Sequence, residues 1–239
     1  MSGHSKWANI KRKKEVTDKA RGVAFAKLSR LITLAVVEGG NEGNPDHNFK
    51  LRLTIDKARD TNMPKENIQR AIEKGTGSDK HFLKEVMYEG FGPHGVAIMI
   101  HATSDNPNRT VSEIKNTFEQ HGGKLGSQHS VAYLFQHCAK VTFDLAGHKE
   151  EDVFEFAQSL KAVDFDEDET SYYVYIPFEL FGRIKEHLEK VKPRSTEIYF
   201  KPQTIISLSK EEEAKQVLGL IDALEDLDDV HQVYSNMEL

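Results

Sequence analysis

Between residues 131 and 200 the hydrophobic pattern switches period repeatedly, and the order of those switches restricts the fold more than any bulk property does. Residues 131–145 hold strand material. Residues 152–161 repeat with helical spacing, with Val153, Ala157 and Leu160 on one face. A short strand follows at 162–165, and residues 172–176 alternate as another. Pro177 opens a second helical stretch through Phe181, Ile184 and Leu188, and residues 196–200 close the series as a strand. The order is β-α-β-β-α-β, that of the split βαβ or ferredoxin-like fold.

The flanking segments are each incomplete. Residues 86–88 and 96–102 read as strands around the turn Gly92, Pro93, His94, Gly95. Thr110 and Glu113 have capping-box spacing and are expected to open a helix with Val111, Ile114 and Phe118 inward, ended by Gly122 and Gly123. Beyond the insert, residues 204–208 read as a strand. Ser209 and Glu212 repeat the capping-box spacing before a helix through Ala214, Val217, Leu218, Ile221 and Leu224, and residues 230–234 form a last strand. A lone β-α-β piece cannot cover its apolar face, so it is expected to share a sheet with the segment before the insert.

Upstream, three helical stretches are joined by short connections. The first covers 19–38 with Ala24, Leu28, Leu31 and Ala35 on one face, stopped by Gly39 and Gly40. The second covers 49–60, and the third starts at Pro64 and stops at Gly75. The expected fold class is therefore α+β and multidomain: an N-terminal three-helix domain plus two α+β domains, one ferredoxin-like and inserted in the other. The expected boundaries are 1–80 for the basic arm and helical bundle, 81–132 with 203–239 for the discontinuous domain, and 133–202 for the insert.

Charge adds a constraint that the net value of -6 conceals. Residues 1–37 hold nine basic residues and two acids, a net of +7, so the rest of the chain carries -13. A basic arm on an acidic body is an electrostatic footprint for a polyanion. A single cysteine, Cys138, excludes an internal disulfide framework and multi-cysteine zinc sites. The apolar runs are too short to span a bilayer and the N-terminus has no signal-peptide core. The expected location is cytoplasmic, with no membrane partner and no small-molecule substrate.

The arm carries the main candidate site. Lys6, Lys11, Arg12, Lys13 and Lys14 can neutralise phosphates, Trp7 can stack on a base or sugar, and His4 and Asn9 can bond to base edges. Lys19, Lys27 and Arg30 fall opposite the apolar face of the first helix and would extend the patch. The bland alternatives are a solvated charge run and an ordinary exposed face. The second and third helices, joined through Thr61, Asn62 and Met63, admit a helix-turn-helix, although a plain αα-hairpin is commoner. The glycines at 122, 123 and 126 follow a helix, so they match no nucleotide-binding fingerprint. The scattered histidines lack ligand spacing, and the acids at 164–169 and 222–229 lack calcium-loop spacing and read as solvated. No catalytic residue, metal or cofactor is expected.

Five segments together resemble one known family. They are GHSKWANIKRKK at 3–14, LRLTIDKARDTNMPKENIQRAI at 51–72, YEGFGPHGVA at 88–97, DNPNRTVSEIKNTFEQHGGKLGSQHSVAYLF at 105–135 and LIDALEDLDDVHQVYSN at 220–236. The chain resembles the YebC/PmpR family, which includes a mitochondrial translational activator of cytochrome oxidase synthesis. The weakest stretch of the resemblance is about 139–200. His94 and His129 stand where glycine is expected. The resemblance implies a three-domain cytoplasmic protein without known catalytic activity, with its ferredoxin-like domain inserted in the second domain. It also implies DNA binding and transcription regulation, as described for bacterial members; the alternative is a translation factor on ribosomal RNA and tRNA that assists elongation. The arm positions His4, Lys6, Trp7, Asn9, Lys11, Arg12, Lys13 and Lys14 carry over from it one by one.

Overall fold

The computed structural model describes residues 18–77, 83–188 and 190–238. Three helices come first: α1 (Asp18–Glu38), α2 (Phe49–Asp60) and α3 (Lys65–Thr76). Their shared core joins Leu28, Ile32, Ala35 and Val36 to Leu51, Ile55, Ala58, Met63, Ile68 and Ala71. Burial in α1 runs unbroken from Ile32 to Val36, beyond the single stripe its periodicity suggests. Gly40, at φ +74°, takes the left-handed turn that ends α1. Asn48 then caps α2 by accepting from the Leu51 amide at 3.0 Å and donates back to the Ala35 carbonyl at 2.8 Å. That one buried amide ties the end of α1 to the start of α2. α1 and α3 approach closely at Gly75, where a Cβ would lie 2.7 Å from the Val36 Cβ.

The host domain is a four-stranded antiparallel sheet. Strands β1 (Lys84–Phe91) and β2 (Ala97–Ser104) precede α4 (Pro107–Gln120) and the short β3 (Lys124–Leu125). The sheet order is β3, β1, β2 and then the strand Val230–Ser235 from the far end of the chain. The register pairs Val86 with Ala102, Tyr88 with Ile100 and Gly90 with Ile98 on the face that meets α4, where Phe118 fills the space against Gly90. Glu85, Met87 and Glu89 share the other face with Thr103, His101 and Met99.

The inserted domain contains β4 (Phe135–Asp144), α5 (Glu150–Ser159), β5 (Asp164–Glu167), β6 (Ser171–Pro177), a 3-10 helix (Phe178–His187) and β7 (Ser195–Pro202). The sheet order is β5, β6, β4, β7 with all neighbours antiparallel, the ferredoxin-like arrangement expected from the element order. The second helix is 3-10 and not α. Phe181 and Ile184 are still buried, while Leu188 is only half-buried. After it come β8 (Ile206–Ser207), α6 (Glu211–Glu225), β9 (Val230–Ser235) and β10 (Met237–Glu238). Among the described residues, compact packing groups Leu134–Ser207 apart from residues 18–133 together with Leu208–Met237, so the helical bundle and host sheet share one unit.

Two expected helix starts differ. Asn106 caps α4 through its side chain, accepting from the Arg109 amide, and Pro107 is the first helical residue. Thr110 therefore lies inside the helix, where its hydroxyl donates to the Asp229 carboxylate. Ser209 and Glu212 form no capping box either: α6 starts after Lys210 without a side-chain cap. Leu220 takes the buried place expected of Leu218.

Candidate nucleic-acid interface

His4, Lys6, Trp7, Asn9, Lys11, Arg12, Lys13 and Lys14 lie outside the described residues. Of the helix cations, all of which lie in α1, Lys27 and Arg30 do not stand on an open face. The Lys27 ammonium donates to the Glu225 carbonyl at 2.5 Å, and burial pushes its pKa down against the attraction of Glu225, Asp226 and Asp228. The Arg30 guanidinium donates to the Asp228 carbonyl at 3.1 Å and to the Asp229 carboxylate at 2.5 Å. Both therefore join the helical bundle to the turn between α6 and β9. Periodicity found the face of α1 turned away from the bundle core, and the host domain covers part of that face.

Asp229 is the centre of this junction and is only 2% exposed. Its second oxygen accepts from Arg109 at 2.9 Å and from the Thr110 hydroxyl at 2.6 Å. Thr110 in turn lies 2.6 Å from the Ser104 hydroxyl. Burial alone would raise the Asp229 carboxyl, but the bonds from Thr110 and Arg109, with the charge of Arg30, hold it below its ordinary value. The reading of residues 222–229 as solvated acids fails at this position. The sequence showed one more aspartate in an acidic run; its three partners are 119 or more residues away along the chain.

A second contact joins the same two parts. Lys50 donates to Glu38 and to Glu85, each at 2.7 Å. His101 Nε2 stands 2.5 Å from Glu85. The contact with His101 holds the Glu85 carboxyl down to about 2 against the effect of burial, and Lys50 adds to it. Next to His101 lies His231, with ring centroids 5.8 Å apart. Among the described residues neither His231 ring nitrogen has a hydrogen-bond partner. Burial pushes that imidazole down to about 3, and the neighbouring His101, Lys27, Lys57 and Arg30 act in the same direction.

The third polar feature has no local signature in the sequence. Glu89 is 4% exposed. Its carboxylate accepts the backbone amides of His129 at 2.7 Å and of Val131 and Ala132 at 2.8 Å each. Gly126 donates to the Glu89 carbonyl at 2.8 Å. The glycine-rich stretch is thus a helix stop at Gly122, φ +73°, followed by a loop gathered onto one side chain. His94 and His129 both adopt left-handed backbone, at φ 61° and 66°, where glycine would be unstrained.

Cys138 is fully buried, and burial pushes its thiol up to about 11, away from nucleophilic use. Among the described residues no three His, Cys, Asp or Glu side chains come together to hold a metal, and no helix is long and apolar enough to cross a membrane.

Residues 5–78 match the model described as the TACO1/YebC protein N-terminal domain, and residues 83–237 match the TACO1/YebC second and third domain. The chain belongs to the TACO1/YebC family. Two relatives, from Persephonella marina and Chloroflexus aurantiacus, are 43% and 44% identical over all of this chain and 96% of their own lengths. Both are named "Probable transcriptional regulatory protein", as is a 43% identical relative from Aquifex aeolicus. A crystal structure of a conserved hypothetical protein from Aquifex aeolicus superposes with a TM-score of 0.83 at 40% identity, covering 92% of this chain and 91% of that one. The TACO1/YebC match thus takes in both the junction around Asp229 and the loop held by Glu89.

Proposed function

We propose that this chain is a non-enzymatic regulator of transcription that binds DNA through its basic N-terminal arm and helical domain. The observation that carries the proposal is the charge division, +7 over residues 1–37 against -13 for the rest. A polyanion is attracted to one end of the chain and repelled by the remainder, which orients the encounter. The relatives' names add transcription to that reading. Because Lys27 and Arg30 serve the internal junction, phosphate contact falls mainly to Lys6, Lys11, Arg12, Lys13, Lys14 and Lys19.

One observation favours a second reading, a ribosome-associated translation factor that binds ribosomal RNA and tRNA. In the α2–α3 hairpin Arg59 pairs with Asp56 at 3.2 Å and Arg70 faces Glu66 at 4.0 Å. The hairpin therefore offers no unbroken basic face to a major groove.

The test is a salt titration by fluorescence anisotropy with duplex DNA and with a ribosomal RNA fragment. Each phosphate contact contributes roughly 0.7 to 0.9 to the slope of log affinity against log salt. Changing Lys11, Arg12, Lys13 and Lys14 to Ala is expected to flatten that slope by about three. An unchanged slope overturns the proposal, and the tighter of the two probes decides between the readings.

A further inference from the structure

Residues 120–143 contain no aspartate or glutamate, although 38 acids among 239 residues would place about four in a stretch of that length. The same stretch contains the loop gathered onto Glu89. Burying a carboxylate without a cation beside it is costly unless its oxygens are bonded. Here three amides supply those bonds, and donors to an ionised acceptor make the stronger class of hydrogen bond. The loop from Gly126 to Tyr133 is held at four amides, at Gly126, His129, Val131 and Ala132, by one residue of β1.

What the loop presents is unlike what it buries. Val131 is fully buried and pins it inward. Lys124, Ser127, Gln128 and His129 are exposed, and Tyr133 is 70% exposed, more than any other large hydrophobic side chain among the described residues. Phe91, 38% exposed, is the register partner of Lys124 across the β1–β3 ladder. A single exposed ring is ordinary on a protein surface. A ring on an immobilised loop, with Lys124 on the strand that leads into that loop and no carboxylate in the segment, suits the stacking of an unpaired base while a phosphate is neutralised.

We propose that this loop is a second nucleic-acid contact, which takes an unpaired base on Tyr133, with Lys124 toward the phosphate and Gln128 and His129 toward the base edge. The occupant is a single strand, because a base inside a duplex does not offer its face. The proposal rests on the reading above that the chain binds nucleic acid. RNA and DNA single strands share the chemistry, and the test separates them.

Full-length protein is titrated by anisotropy with labelled 15-nucleotide oligo(U), labelled oligo(dT) and a labelled 15-base-pair DNA duplex. Tyr133→Ala is expected to weaken binding of one or both single strands about tenfold. Its duplex affinity and salt slope are expected to stay unchanged, since stacking releases no counterion. Tyr133→Phe keeps the ring and is expected to stay within about twofold of the wild type. Lys124→Ala is expected to lower the single-strand salt slope by roughly 0.7. If wild type binds and Tyr133→Ala binds all three probes equally well, the loop proposal fails alone. A loss equal on duplex and single strands, or a Phe variant as weak as the Ala variant, also overturns it. If the wild type binds no probe at low salt, both this proposal and its parent reading fail. The solvent-exposed position of Tyr133 predicts an unchanged thermal transition in either variant.

Discussion

Asp229 and Glu89 are both carboxylates buried in the same compact unit, at 2% and 4% exposure, and they are made tolerable in opposite ways. Asp229 receives two guanidinium groups and a hydroxyl, from α1 and from the first turns of α4. Glu89 receives three amides from one short loop, within 43 residues of itself. The first arrangement joins parts that are remote along the chain and cancels formal charge. The second fixes a local backbone and leaves side chains available. A buried acid is thus a joint in one place and a splint in the other.

The largest effect is expected where the joint is removed. Asp229→Ala strands Arg30, Arg109 and Thr110, and a broken buried pair typically costs 3–5 kcal/mol. Arg30 and Arg109 are 34% and 45% exposed and can rehydrate, so a loss of about 3 kcal/mol is expected in denaturant unfolding. Amide exchange should quicken both in α1 and around residue 229. Glu89→Gln should cost less, about 2 kcal/mol, and quicken exchange only at 126–132. If both variants loosen the same amides, the distinction between joint and splint is broken.

Acid provides the next test of the joint. His231 titrates near 6.5 when unfolded and is held down to about 3 in the folded chain. Between those values the unfolded state binds the extra proton, so stability is complete above pH 6.5 and falls as pH is lowered toward 3. Glu85, held at about 2, adds a loss that begins near its unfolded value and continues as pH falls toward 2. Lowering pH from 7 to 5 should therefore destabilise the protein by on the order of 1–2 kcal/mol. His231→Gln should remove most of that dependence, and a wild-type curve flat over this range would count against a neutral His231.

The smallest effect sharpens the splint. His129 takes a left-handed backbone at φ 66° while its amide serves Glu89. His129→Gly should raise stability by about 0.5–1 kcal/mol by relieving that strain, net of the freedom glycine gains when unfolded. His94→Gly should gain less, because the His94 ring meets the Gln216 side chain at 2.9 Å. A loss in the His129 variant would mean that the side chain, not the backbone, holds the loop.

These two carboxylates also mark where sequence reading stops. Helix faces and strand order follow from local periodicity, so Leu28, Ile55, Phe118 and the β-α-β-β-α-β order were legible. The glycines at 122, 123 and 126 read as a helix stop and tight turn, and nothing local links the loop after them to Glu89 on β1. Lys27 and Arg30 were placed on the correct side of α1, yet periodicity states which face leaves one core and is silent on whether another domain covers it. Thr110 looked like a cap because capping is a local rule, whereas its hydroxyl is committed to Asp229 across 119 residues. The arm's chemistry is read from charge alone, since it lies outside the described residues.

The place of β9 in the host sheet has a consequence for the order in which the protein comes into being. Its partner β2 is complete at Ser104, and every strand of the insert is complete at Pro202, well before Val230 is added. Arg30 likewise precedes its carbonyl partner at Asp228 by 198 residues. At synthesis rates of about 5–20 residues per second, that partner follows about 10 to 40 s later. During that interval the cations of α1 and, once Ser104 has been added, one edge of β2 face whatever else is near the ribosome exit. The last few dozen residues of the chain therefore act as a closing latch: until they emerge, the host domain is an open sheet beside a helix whose charge is uncompensated.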